Sequence, residues 1–117
     1  MENLVTLDEI TAARERIKSA ARYTPLIDVP YPGATESRLL LKCENLQPMG
    51  AFKIRGAFNM ISQLPHDSMD RGVITYSSGN HGQAVAMAAR ALGIPAVIVM
   101  PTTAPQVKVD GCKNYGA

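Results

Sequence analysis

The sequence predicts an α/β fold in which helices cover a parallel sheet. Segments of helical and strand periodicity alternate along the 117 residues. The run Ala96-Val97-Ile98-Val99-Met100 is apolar at every position, as in a strand buried on both faces of a parallel sheet. Pro65 and Gly93 each stand where a helical pattern stops. With 46% hydrophobic and 19% charged residues, the composition is that of an ordinary folded chain, with room for one compact unit or part of one.

Thr6 and Glu9 form a capping box ahead of Leu7, Ile10, Ala13 and Ile17, which predicts a helix ending near Tyr23. Thr24-Pro25 turns the backbone away from helix, and Pro30-Tyr31-Pro32-Gly33 is a turn. Residues 39–44 read as a strand and residues 45–50 as a loop. Ile54, Ala57, Phe58, Ile61 and Leu64 line one face of a second helix, followed by a polar loop over residues 66–72. Val73-Ile74-Thr75-Tyr76 is a short strand and Ser77-Ser78-Gly79-Asn80 a sharp turn. A third helix from His81 carries the stripe Ala84, Val85, Ala88 and Leu92. After the apolar strand, a last helix begins near Pro105 and Gly116 caps it. The order is helix, strand, helix, strand, helix, strand, helix, which calls for βαβ units.

Several functional classes lose support here. Twelve Lys and Arg against ten Asp and Glu give a net charge of +2 without a basic run, and with two Phe, four Tyr and no Trp there is little surface for stacking bases, so no nucleic-acid partner is expected. No apolar run reaches the roughly 20 residues of a membrane span, and Met1-Glu2-Asn3-Leu4 has no apolar signal core, which makes the cytoplasm the default location. Cys43 and Cys112 have neither metal-site spacing nor a disulfide framework and read as reduced packing thiols. His66 and His81 lack ligand partners at metal spacing. The dinucleotide and phosphate-loop glycine patterns and the G-x-S-x-G elbow are absent.

Two strand-to-helix loops stand where open sheets bind ligands. The first runs through Gln47-Pro48-Met49-Gly50-Ala51-Phe52-Lys53 and puts Lys53 in the first turn of a helix. The helix dipole disfavours a positive charge there, so a neutral, nucleophilic amine is expected, with Gly56 and Ala57 leaving room for a flat ligand. An ordinary solvated lysine fits the same position, and spacing alone does not separate the two. The second loop, Ser77-Ser78-Gly79-Asn80-His81-Gly82-Gln83, reads either as a well-capped helix start or as an anion site for a carboxylate or phosphate.

Three strings together resemble the fold-type-II pyridoxal-phosphate enzymes, above all the threonine dehydratase and serine racemase group. They are Lys42-Cys43-Glu44-Asn45-Leu46-Gln47-Pro48, Ala51-Phe52-Lys53-Ile54-Arg55-Gly56-Ala57 and Ser77-Ser78-Gly79-Asn80-His81-Gly82-Gln83-Ala84, with weaker support from Thr24-Pro25-Leu26 and from the stretch Met100-Pro101-Thr102 through Lys108. The likeness is collinear over nearly the whole chain. It implies the tryptophan-synthase-β-like architecture, with residues 1–64 contributing to a large domain and residues 65–117 starting a small one. It implies that Lys53 bonds covalently to pyridoxal 5'-phosphate, that Phe52 packs near its ring and that Asn80 hydrogen-bonds its phenolic oxygen. Ser77, Asn80 and His81 would hold the substrate carboxylate, and Ser78 matches the opposite-face acid or base of serine racemases. No residue of this chain is assigned to a metal.

The implied reaction is elimination of water and ammonia from L-threonine or L-serine to a 2-oxo acid, with a racemase as the alternative. Ala51 stands where many members have serine. Family members are much longer, and their glycine-rich phosphate loop, the residue facing the pyridine nitrogen and the cation site of some members lie beyond the matching part. The expectation is therefore the N-terminal part of a two-domain homo-oligomeric enzyme, inactive alone, with a non-catalytic truncated or split-gene product as the reading from another class.

Overall fold

A computed structural model describes residues 4–30, 32–33 and 37–117. Residues 1–3, read above as a leaderless N-terminus, and Tyr31 of the expected turn lie outside the described residues. The first helix, α1 (Leu7–Arg16), starts on the expected capping box: the Glu9 N–H donates to Thr6 Oγ1 at 3.2 Å and the Thr6 N–H to Glu9 Oε2 at 2.7 Å. It ends at Arg16, well short of Tyr23. Beyond it the hydrogen bonds tighten, Lys18 N–H to Glu15 O and Ala20 N–H to Ile17 O, so residues 17–20 form turns around the buried Ile17. Arg16 Nη1 donates to Asn59 Oδ1 and ties this end to the second helix.

Two short strands, β1 (Leu26–Val29) and β2 (Leu39–Lys42), pair antiparallel with Leu26 opposite Lys42 and Val29 opposite Leu39. This corrects the sequence reading twice. Leu26–Val29 is a strand that it passed over, and the Leu39 strand belongs to this hairpin and not to the parallel sheet. Three leucines in succession carry no alternation to mark an antiparallel strand, and all three are exposed. Asp28 and Arg38 close the pair, with Arg38 Nε and Nη2 donating to Asp28 Oδ2 at 2.9 and 2.6 Å. A single 3-10 turn over Glu44–Leu46 follows β2.

Helices α2 (Lys53–Ile61) and α4 (Asn80–Leu92) bury the faces that periodicity selected. Ile54, Ala57, Phe58 and Ile61 pack on Ala84, Val85 and Ala88, with Ile17 at the margin and Leu64 and Leu92 half-buried against the cluster. The alanines of α4 let the two helix backbones approach. Ile54 is fully buried at 0% exposure, and Ile54→Ala is expected to cost about 2–5 kcal/mol, read as a lowered midpoint in denaturant unfolding.

Between these helices, residues expected as loop form α3 (His66–Arg71), a six-residue helix too short to show periodicity, entered from Pro65. Strands β3 (Val73–Tyr76) and β4 (Ala96–Val99) flank α4 and pair parallel, Val73 opposite Ala96 and Tyr76 opposite Val99. This is the one βαβ unit among the described residues. Gly82 brings the start of α4 onto the sheet, since a Cβ there would lie 2.9 Å from Ile98 Cγ2 and 3.0 Å from the Ser77 carbonyl oxygen. The outer face of β3 and β4 is bare: Ile74 is 72% and Tyr76 71% exposed, beside exposed Val97 and Val99. The last helix, α5 (Gln106–Asn114), follows Pro105, packs on α4 and buries Cys112, whose thiol burial pushes up. Cys43 and Cys112 are free thiols.

Candidate active site

The turn before α2 is set by residues with unusual backbone and burial. Gly50 has φ +78°, a left-handed conformation that glycine adopts without strain, and Gln47 and Ala51 are buried beside it. Phe52 then stands at the helix N-cap with no side chain capping the first turn, and Lys53 is the first helical residue. Lys53 is exposed and its Nζ lies 4.7 Å from the centroid of the Phe52 ring. None of the three ion pairs among the described residues includes it.

Lys53 opens onto a cavity of about 460 Å³ between α2, β3 and α4, which His81, Gly56, Ala57, Met60 and Val85 also line. Phe52 borders the same cavity. Of the residues singled out in the sequence, Lys53, Phe52 and His81 therefore share one space. Ser77, Ser78 and Asn80 stand apart from that lining, on the turn that leads into α4.

The capping alternative for that turn fails. Gly79 is the N-cap of α4, no side chain bonds into the first turn, and Ser77 Oγ instead accepts from the Gly79 N–H at 3.2 Å. The first turn of α4 thus has no side-chain acceptor for its N–H groups, which leaves them available to an anion. Asn80 is oriented by a residue to which the sequence reading gave no role: Lys108 Nζ donates to Asn80 Oδ1 at 2.6 Å and to Gln83 Oε1 at 3.3 Å. The Asn80 amide is left with its NH₂ end to donate. The string Pro105-Gln106-Val107-Lys108 was the available signal.

A polar cluster on the other side of α2 was also missed. Glu44 accepts from Arg55 through a two-bond fork, Nη2 to Oε1 and Nε to Oε2, each at 2.7 Å, and from Thr24 Oγ1 at 2.5 Å. Gln47 Nε2 donates to Glu44 Oε2 at 3.2 Å and to the Arg22 carbonyl at 2.9 Å, while Gln47 Oε1 accepts from the Arg22 N–H at 2.9 Å. Thr24 and Gln47 are almost wholly buried. The hydrogen bonds from Arg55 pull the Glu44 carboxyl from 4.5 down to about 2; burial opposes this, and Thr24, the Arg55 charge and Gln47 assist. Between those values the unfolded chain binds the extra proton, so stability from Glu44 is complete above pH 4.5 and is lost as pH falls through about 2. Denaturation midpoints measured across that range should fall on acidification, and Glu44→Gln should flatten the fall.

Among the described residues no group of three or more His, Cys, Asp or Glu side chains is placed to hold a metal ion, and no helix is long and apolar enough to cross a membrane.

Comparison with known proteins bears on this site. The chain is 48% identical over 118 residues to the serine racemase of Schizosaccharomyces pombe, covering 98% of this chain and 36% of that protein. It is 46% identical over 117 residues to the catabolic L-threonine dehydratase of Staphylococcus aureus, covering 98% of this chain and 34% of the relative. Its structure superposes with a TM-score of 0.89 on a pyridoxal 5'-phosphate-dependent aspartate racemase, at 41% identity, covering 100% of this chain and 37% of the other. The chain thus spans about a third of the length of these relatives. Residues 17–117, which include the lysine turn, the Ser-Gly-Asn-His turn and the βαβ unit described above, match the pyridoxal-phosphate dependent enzyme family, and the chain belongs to that family.

Proposed function

We propose that this chain carries the lysine-bearing part of a pyridoxal-phosphate-dependent ammonia-lyase that converts L-threonine or L-serine to a 2-oxo acid. The observation that supports the reading best is that Lys53 and His81, from two different helices, open onto one cavity that Gly56 and Ala57 also line. The relatives' names carry the substrate class: a threonine dehydratase and a serine racemase, both at nearly full coverage of this chain. In this reading residues 1–64 belong to a large domain and residues 65–117 begin a small one, in a cytoplasmic homo-oligomer.

The residues present fit the ring end of the cofactor. A Cβ added at Gly56 would meet nothing within 4 Å, so a flat ring has space beside the Lys53 stem. Pyridoxal phosphate, when bound, supplies an electron sink for charge developing at the substrate α-carbon. Lys53 Nζ would hold the group covalently, and its free amine would take a proton from the substrate α-carbon. The N–H groups at the start of α4, with Ser77, Asn80 and His81, would bind and orient the substrate carboxylate. Asn80, its Oδ1 held by Lys108, would offer its NH₂ to the phenolic oxygen of the group. Ser78, exposed at the turn, can carry a proton on the opposite face, and this favours retaining the racemase as a second reading.

The 117 residues contain no glycine-rich phosphate loop, so the isolated chain is expected to bind pyridoxal phosphate weakly. A spectral titration giving micromolar affinity would contradict this. The proposed function is tested in the complete enzyme by measuring 2-oxo acid from L-threonine and L-serine, with D-serine followed in parallel. Absence of 2-oxo acid from both substrates, with cofactor bound, overturns the lyase reading. D-serine lost in Ser78→Ala while elimination persists would assign the racemase step to Ser78.

A further inference from the structure

We propose that Glu44 is the positioning residue for the Lys53 amine and acts through the Arg55 fork. The proposal rests on the reading of Lys53 as the cofactor-bearing lysine.

The first turn of α2 has no side-chain cap, so no capping bond fixes its start. The fork supplies the missing anchor. Arg55 follows Lys53 by two residues, which places the two side chains about 200° apart around the helix. Arg55 also borders the Lys53 cavity, and clamping its guanidinium on Glu44 fixes the helix turn from which Lys53 leaves.

The clamp itself is held from three segments. Thr24 and Gln47 hydrogen-bond the carboxylate, Gln47 grips the Arg22 backbone at both its N–H and its C=O, and Arg55 Nη2 also reaches the Arg22 carbonyl at 3.2 Å. Lys42 Nζ closes the far side on the Thr24 carbonyl at 2.6 Å. Glu44 is 19% and Arg55 34% exposed, whereas both partners of the other two ion pairs among the described residues are more than half exposed. A half-buried two-bond fork resists solvent and fixes angle as well as distance. A surface pair does neither. The same arrangement accounts for the strings around Thr24, Glu44 and Gln47, which do not line the cavity.

The test uses the complete enzyme and two readouts. In the first, apoenzyme is treated with pyridoxal phosphate and cyanoborohydride: lysine amine and aldehyde condense with loss of water, hydride reduces the C=N bond, and peptide masses give the label at each lysine. Glu44→Gln is expected to slow labelling of Lys53 by about 10- to 100-fold and to leave surface Lys18 and Lys113 unchanged. In the second, kcat for the amino-acid substrate falls by a comparable factor while KM stays within about twofold, because the carboxylate-binding turn on α4 is untouched. Arg38→Gln, which opens the exposed Arg38–Asp28 pair and leaves the fork intact, is expected to stay close to the parent in both readouts.

Undiminished labelling of Lys53 in Glu44→Gln overturns the proposal, as does a joint change of kcat and KM with faster hydrogen exchange throughout the chain. If Glu44→Gln does not fold, Arg55→Lys is measured in its place. It keeps the cation and loses the fork, and labelling equal to the parent overturns the proposal equally. A parent enzyme that takes no label at Lys53 overturns the reading of Lys53, and this proposal with it; label in the parent that persists in the variants overturns this proposal alone.

Discussion

Replacing Lys53 with alanine is expected to abolish covalent retention of pyridoxal phosphate and to reduce turnover of threonine and serine in the complete enzyme by at least about 10²–10⁴-fold, the range for loss of a positioned proton-transfer group alone. The position of the residue makes this a clean experiment. Lys53 is exposed, takes part in no ion pair among the described residues and buries nothing that the α2–α4 core needs, so the fold should survive the change. Alanine also favours helix at the first position of α2. Far-UV circular dichroism should therefore match the parent while activity and reducible cofactor disappear together. Appreciable turnover in Lys53→Ala would remove the lysine from its proposed role.

The second large effect lies in the backbone. Gly72 joins α3 to β3 with φ +80° and ψ −169°, a region that only glycine occupies comfortably. A Cβ there would sit 2.4 Å from the Pro95 carbonyl oxygen, the same oxygen that accepts from the Val73 N–H at 2.9 Å to open the parallel ladder. Gly72→Ala thus combines backbone strain with a clash against an atom that the sheet has already committed. The expected cost is about 3–5 kcal/mol, enough to shift the unfolding midpoint strongly or leave the chain unfolded. Gly93→Ala is the control. Its φ is +71°, yet nothing lies within 4 Å of a Cβ there, so strain alone operates and the loss should be clearly smaller.

What the sequence made legible follows from how local each signal is. The capping box at Thr6, the buried stripes of α2 and α4 and the β3–α4–β4 unit are written in residues near one another, and they appear where expected. The hairpin of β1 and β2 is not local in this sense. Each strand has four residues, and neither pattern identifies its partner ten residues away. The short α3 lies below the length at which periodicity exists. At the site, the residue types of the Ser77 to Gln83 turn fitted either a helix cap or an anion site, and the first turn of α4 carries no side-chain cap. Glu44 and Lys108 were hidden because their roles depend on partners 11 and 28 residues away.

The two faces of the β3–β4 sheet have different consequences for how the chain comes into being. Its inner face and the α2–α4 helix pair find apolar partners within these residues, so that nucleus can consolidate as soon as β4 has been synthesised. Ile74, Tyr76, Val97 and Val99 find none, and two strands alone make a marginal sheet. Until another surface covers that face, it is a short β-rich, uncharged patch open to other nascent chains and to chaperones. In the cell, the yield of this protein should accordingly be governed by how quickly the outer face of β3 and β4 is shielded, more than by the stability of the helical core beneath it.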